Sequence, residues 1–425
     1  MTEVFLHYIW QHQLFEVDNL RTTDGQLIEV VKPGEYNTDA GPDFFSSHIR
    51  LNNTLWVGTV EIHLKSSEWK KHRHDQDAAY DNCILHVVFE NDEHVHRKDG
   101  ERLATLELKG RFANYVWENY QALMGTYSWI PCAHRINEVS PMVLNQWLDR
   151  LSVERLEKKS TQIFQMLELN NADWEETFYQ LLCSGFGFQI NSLPFTMLSR
   201  KIPFQFLMRF RDKPRLVEAL FFGCGGFLNV ESADDYTRSL QNDFLHFKKV
   251  HQLESIDHSC WKFLRLRPVN FPTIRIAQLV ALITSAGRLF SVVLALDDFN
   301  SGKKIFKVKA SSYWDSHFIF GKEAVESHKF LGEKSIENLF INVIIPVLFA
   351  YGIRNDSMTH RVKAIELLEQ IQAEDNSVIR NWGELGVKSS SAFQSQALLE
   401  LKKHHCSEKK CLTCRIGVEL INHLP

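Results

Sequence analysis

The sequence predicts an α+β N-terminal domain over residues 1–130, ordered helix–three strands–helix–strand, followed by a large, mostly α-helical region over 131–425. Three observations carry this prediction. Period-2 apolar alternation recurs between Leu27 and Phe89, as half-buried strands require. After about residue 135 the apolar spacing becomes helical and stays so almost to the end. Between the two regimes, Pro131-Cys132 marks the boundary.

Each element has its own local reason. Residues 3–15, with Val4-Phe5-Leu6-His7-Tyr8-Ile9-Trp10, carry apolar side chains at helical spacing. Leu27–Val31 is a strand closed by Lys32-Pro33-Gly34, and a Gly/Asn/Asp-rich loop to Asp43 leads into a second strand, Phe44–Leu51. Asn52-Asn53 offers a tight turn, because Asn tolerates positive φ. The third strand is Leu55–Leu64. Ser66-Ser67-Glu68-Trp69 opens a helix predicted to run over 67–80, with a serine available as N-cap. Cys83–Phe89 is a fourth strand, and a hairpin turning at Lys98-Asp99-Gly100 adds a fifth. Ser140-Pro141, a cap followed by proline at the first helical position, starts the long helix of the second region.

Composition bounds the function. A chain of 425 residues that is 44% hydrophobic can bury large cores and more than one domain. A net charge of −4 excludes a uniformly basic nucleic-acid binder but leaves room for a local basic groove. No uninterrupted apolar run reaches the roughly 18 residues of a membrane span; the closest stretch, Leu339–Tyr351, carries Asn342 and Pro346. The start has no basic segment before an apolar block, so no signal peptide is expected. Eight scattered cysteines suit reduced thiols and a cytoplasmic protein.

Gly41-Pro42-Asp43 and, eighteen residues on, Glu61-Ile62-His63-Leu64-Lys65 concentrate the chemistry. Strand geometry places Glu61, His63 and Lys65 on one face and Val60, Ile62 and Leu64 on the other. Acids and bases gathered at adjacent strand ends are the layout of a hydrolase that cuts phosphodiesters with a divalent ion. His48, His72, His74, Asp75, Asp77 and His86 raise the local density further. Against this stands a plainer account, in which Asp43 caps a loop and Glu61 and His63 form the solvated face of a strand.

Near the C-terminus His404-His405-Cys406 is followed by Cys411 and Cys414, a C-x4-C-x2-C spacing. Thiolates so spaced can converge on one zinc ion or iron–sulfur cluster, with Cys132, or else His404 or His405, as fourth ligand. Unconnected thiols on a helical turn are the alternative, and buried free thiol is the expectation for Cys83, Cys183, Cys224 and Cys260. In the middle, Arg265, Arg267 and Arg275 sit among aromatics and prolines, suited to phosphates and exposed bases or, equally, to pairing with acids in a rigid loop. Gly223-Cys224-Gly225-Gly226 follows no strand, so close helix packing is expected there in preference to a phosphate loop.

Over roughly residues 1–110 the element order, with Asp43 opening one strand and Glu61 in the next, resembles the PD-(D/E)XK nuclease superfamily, with its restriction-endonuclease-like core. That resemblance implies Asp43 and Glu61 as Mg²⁺ or Mn²⁺ ligands and a lysine that orients the attacking water. Here E-x-K reads Glu61-Ile62-His63, with Lys65 two residues later, so the base is His63 or Lys65. Recombination-type members carry Q-x-x-x-Y on the following helix, matched by Gln76 and Tyr80, and a first-helix histidine, matched by His7. Some also staple the nuclease domain with one upstream and three downstream cysteines; Cys132 follows the catalytic stretch here, a departure from that order.

Leu6-His7-Tyr8-Ile9-Trp10, Gly41-Pro42-Asp43-Phe44, Glu61-Ile62-His63, Ile84-Leu85-His86-Val87-Val88, Arg265-Leu266-Arg267-Pro268 and Cys411-Leu412-Thr413-Cys414 together resemble an uncharacterised bacterial family known as a domain of unknown function (DUF2851). That resemblance implies membership and no particular chemistry. The function expected is therefore a metal-dependent nuclease acting on DNA or RNA. A non-catalytic nucleic-acid-binding or assembly protein on a degenerate nuclease fold, and a histidine-metal hydrolase of small substrates, are the alternatives.

Overall fold

The computed structural model describes residues 1–231 and 234–424 and divides into two compact units, 1–144 with 403–425, and 145–402. Where the sequence divides the chain at residue 130, the first unit runs on to Leu144 and takes back the segment from Lys403.

The first unit is a mixed sheet with helices. Helix α1 (Glu3–Gln11) is capped by Thr2, whose hydroxyl accepts from the Phe5 amide, and it stops four residues short of the predicted end. Strands β1 (Ile28–Lys32), β2 (Glu35–Tyr36), β3 (Phe44–Leu51), β4 (Thr54–Lys65), β5 (Cys83–Glu90) and β6 (Thr105–Glu107) form one sheet in the order β1-β3-β4-β5-β6, with β2 on β3. β1, β3 and β4 pair antiparallel, and Asn52, with φ of +51°, makes the turn between β3 and β4. β4 to β5 is parallel, in register Glu61↔His86 and Ile62↔Val87.

Two local expectations fail, each for a visible reason. The helix predicted over 67–80 ends as α2 at Glu68–Lys71. Arg73 adopts φ of +62°, its amide donates to the Lys70 carbonyl, and the His74 amide donates to the Trp69 carbonyl. That bonding is a Schellman stop, in which the left-handed residue satisfies the last helical carbonyls. A short 3₁₀ turn, Ala78–Tyr80, follows, so Gln76 and Tyr80 do not share a helix. The predicted hairpin does form, with His96 and Arg102 in an antiparallel bridge, but the fifth strand is not held in it. The chain does reverse at Gly100, with Leu103 donating to the Val95 carbonyl, but the strand beyond it, β6, pairs parallel to β5. Period-2 patterning reports that a segment is extended and says nothing of its partner's direction.

The last stretch of chain closes this unit. Helix α3 (Asn114–Gly125) meets the C-terminal helix Arg415–Asn422: Asn119 Nδ2 donates to the carbonyls of Ile421 (3.2 Å) and His423 (3.0 Å). Glu419 accepts from the Ser140 amide at 2.9 Å, and Asn422 donates to the Tyr8 hydroxyl at 2.9 Å.

The second unit is helical, apart from a two-stranded ribbon at His317–Ile319 and Lys322–Glu323 that the sequence patterning misses. Its core is rich in aromatics; Phe178, Phe186, Phe221, Phe222, Phe306 and Trp314 are fully buried. The helix Glu333–Arg354 is long and apolar enough to cross a membrane by length and composition, and 72% of its apolar window is buried within the protein. The glycine run is a packing device, as expected. A Cβ on Gly223 would lie 2.1–2.6 Å from the ring atoms of Phe244, on the helix Asp235–His251. Gly223→Ala is therefore expected to destabilise this unit by about 1–3 kcal/mol, overpacking outweighing the gain in helix propensity. Thermal unfolding of the variant checks this, and an unchanged midpoint would refute the close packing.

Candidate metal centre

The polar face of β4 is not solvated. Glu61 and His63 are 5% and 1% exposed, and His86 beside them on β5 is fully buried, which removes the solvated-strand account. Burial comes from what covers the sheet: α1 brings His7, and the stop at Arg73 swings His74 back so that its ring stacks on Tyr80, centroids 3.8 Å apart.

Two groups of donors lie beside Glu61. In the first, ligand atoms of Glu3, His7 and Asp43 lie within 4.8 Å of one another. Glu3 and His7 are neighbours because they are four residues apart on α1. Asp43 is fixed at the entry of β3: its Oδ2 accepts from the Ile62 amide at 2.8 Å, and its own amide donates to Glu61 Oε2 at 3.1 Å. In the second, His63, His72 and His74 meet the same 4.8 Å limit. Glu61 Oε1 lies 3.3 Å from His74 Nε2 and 3.6 Å from His63 Nε2. One carboxylate thus contacts the histidine group through its ring nitrogens and the first group only through the Asp43 main-chain amide.

The contacts are close without being good hydrogen bonds. His7 Nε2 is 3.3 Å from Asp43 Oδ2, and His74 Nε2 is 3.3 Å from Glu61 Oε1, yet both nitrogens are buried without a hydrogen-bond partner. Buried polar atoms are normally satisfied, so such atoms call for an explanation. Nitrogen and oxygen lone pairs that converge without aligning on each other are what a ligand set for a cation looks like.

Electrostatics follow from burial. Desolvation holds the His63 imidazole down to about 2 and that of His86 down to about 3, with the neighbouring imidazoles adding to the effect, so both rings are neutral at pH 7. His63 Nδ1 is 2.8 Å from His86 Nε2, and His63 Nε2 is 3.2 Å from His72 Nδ1. A neutral His63 with its proton on Nδ1 donates to His86 and leaves Nε2 a lone pair turned to the site, the usual arrangement behind a metal-binding histidine. Burial, with Asp43 adding repulsion, raises Glu61 above the ordinary carboxylate range against the pull of His74, and burial with Asp43 raises Glu3.

Of the residues expected from sequence, the structure brings together His7, Asp43, Glu61, His63 and, through its stack on His74, Tyr80. Lys65 is exposed at the end of β4, in register with Glu90, and Gln76 is exposed in the turn after Arg73. Glu3 and Tyr36, whose hydroxyl is 3.4 Å from His7 Nδ1, were not foreseen. The i,i+4 spacing of Glu3 and His7 was the available signal for the first.

A second cluster forms within the same unit. Cys132, Cys406, Cys411 and Cys414 line one small pocket with Pro131 and His405. Lys409, with φ of +50°, turns the chain so that the Lys410 amide donates to the His405 carbonyl. Gly417 then allows the C-terminal helix to lie against this turn; a Cβ there would sit 2.2 Å from the Cys411 carbonyl oxygen. Burial and the nearby sulfurs raise the thiols of Cys132 and Cys411 to about 12. Cys83, Cys183 and Cys224 are buried as expected, whereas Cys260 is partly exposed.

In the helical unit, Arg265 and Arg267 are exposed but Arg275 is 6% exposed, so it cannot join them in contacting a nucleic-acid backbone.

Fold and site together define a mixed-sheet α/β unit with a buried carboxylate–histidine centre, followed by a mostly helical unit. The chain belongs to the family described as protein of unknown function (DUF2851), whose model matches residues 3–377. No curated protein and no solved structure matches it.

Proposed function

We propose that the N-terminal unit is a divalent-metal-dependent hydrolase of phosphodiester bonds, acting on DNA or RNA. The observation that carries the reading is Glu61, a buried carboxylate between the Glu3–His7–Asp43 and His63–His72–His74 groups. Mixed carboxylate and imidazole donors suit Mn²⁺ better than Mg²⁺, which takes oxygen ligands. A bound ion would supply Lewis acidity and a water acidic enough to attack phosphorus. The chain's own part is to hold the donors rigid. His86 fixes the His63 ring, the Ile62 amide fixes Asp43, and Glu61 stands 3.3 Å from His74 Nε2 as part of the donor set. With Lys65 exposed, this reading assigns the base role to the histidine cluster. The test is cleavage of single- and double-stranded DNA and of RNA with Mn²⁺. Turnover by the wild type, lost in the Asp43→Ala/Glu61→Ala double variant, is expected; turnover unchanged in that variant would sink the assignment.

The exposed Lys65 also favours a second reading, a nucleic-acid-binding protein that has lost catalysis. It predicts salt-sensitive binding without turnover, weakened by Arg265→Ala with Arg267→Ala and indifferent to Mn²⁺.

For the cysteine pocket we propose a structural centre, zinc or an iron–sulfur cluster, held by Cys132, Cys406, Cys411 and Cys414. Its support is the meeting of four cysteines from two distant stretches of chain in one pocket.

A further inference from the structure

The helical unit contains a cavity of about 230 Å³ whose walls combine apolar side chains with one unusual cation. Phe186, Phe188, Phe195 and Leu266 supply the apolar surface, and Arg275 lies in the wall with its guanidinium 4.6 Å from the Phe188 ring centroid. The surroundings of Arg275 are neutral. It donates to Gln278 Oε1 (2.9 Å), Asn270 Oδ1 (2.6 Å) and Ser335 Oγ (2.9 Å), and its Nε is buried without a partner. No aspartate or glutamate lines the cavity among the described residues. Lys334, also in the wall, already pairs with Glu337 at 2.9 Å, so the uncompensated charge is that of Arg275.

A buried guanidinium without a carboxylate is costly, and its position adds to the cost. Arg275 stands in the first turn of the helix Pro272–Ala286, where the macrodipole disfavours a cation. That helix has Phe271 at its N-cap and no side-chain capping bond. The helix Glu333–Arg354 starts at the same cavity through Lys334 and Ser335, behind Gly332, again with no side-chain cap. One buried arginine without a carboxylate partner, its Nε unsatisfied, therefore lies in the wall of a largely apolar cavity. An anion in the cavity would supply the charge that Arg275 lacks and an acceptor for its Nε.

We propose that this cavity binds a small organic oxyanion, its anionic head held by Arg275 and Ser335 and its flat apolar body against Phe188 and Leu266. The site is independent of the carboxylate–histidine centre. Phosphate and carboxylate heads share this chemistry, and the test separates them.

The full-length protein, at fixed ionic strength in chloride, is titrated with inorganic phosphate, a nucleoside monophosphate and benzoate, and thermal unfolding is followed. A saturable rise of roughly 3 °C or more, with ligand in about tenfold excess over its dissociation constant, is expected for at least one of them. A response to phosphate or the monophosphate assigns a phosphate head, and a response to benzoate alone a carboxylate. Arg275→Gln should abolish the response. Because that variant removes a buried anchor, Ser335→Asp serves as the second: a carboxylate beside Arg275 should raise the ligand-free midpoint and eliminate the response to added anion. No saturable shift with any of the three anions, or a shift that persists in Ser335→Asp, overturns the proposal.

Discussion

Glu61→Gln is expected to lower Mn²⁺-supported cleavage by on the order of 10³-fold while leaving the metal-free protein as stable as the wild type or more so. The two halves of this result have the same origin. Glu61 is buried between Asp43 and the histidine group, and burial together with Asp43 already makes its charged form expensive. An amide of the same shape keeps an oxygen to accept from the Asp43 amide, now at 3.1 Å, and removes the charge. A group kept for folding would show the opposite pattern, losing stability on substitution. Calorimetry with Mn²⁺ gives a readout that does not depend on turnover: affinity should fall at least tenfold. Unaltered Mn²⁺ binding in this variant would mean that Glu61 holds no ion.

Removing one sulfur from the cysteine pocket should have the second-largest effect. In Cys411→Ser, bound zinc or iron is expected to drop from about one centre per chain to a small fraction. Unfolding of the first unit should lose several kcal/mol, since an ion that binds only the folded form contributes its binding free energy to folding. Elemental analysis and visible absorption separate the two cofactors, because an iron–sulfur cluster is coloured and zinc is not. Limited proteolysis should then cut within 403–424 before any other region, with Asn119, Ser140 and Tyr8 left as the anchors of that segment. Wild-type protein purified without zinc or iron, and with an equally resistant C-terminus after chelation, would refute the centre.

Much of the fold was legible because β3, β4 and β5 carry long period-2 runs and because the Asn52 turn has its own chemistry. The carboxylates were legible too, since Asp43 and Glu61 open and end neighbouring runs. What failed was set by longer-range physics. Nothing in Trp69–Tyr80 marks Arg73 as the left-handed residue that stops α2, because arginine takes that conformation only when the last helical carbonyls and the His74–Tyr80 stack outweigh its strain. Nor does strand patterning reveal that β6 runs parallel to β5. The burial of Arg275 was equally hidden, because its neighbours in sequence, Arg265 and Arg267, are exposed and its partners Gln278 and Ser335 are ordinary polar residues.

The return of residues 403–424 to the first unit has a consequence for how the protein is made. The sheet leaves the ribosome early, but the segment that ties α3, Ser140 and Tyr8 together is translated only after the whole stretch 145–402. At typical elongation rates that interval is on the order of 10–50 s, very long beside the microseconds in which a hairpin closes. During it the newborn first unit must persist half-finished, with Cys132 waiting for sulfur neighbours not yet synthesised, while the helical unit folds between its two halves.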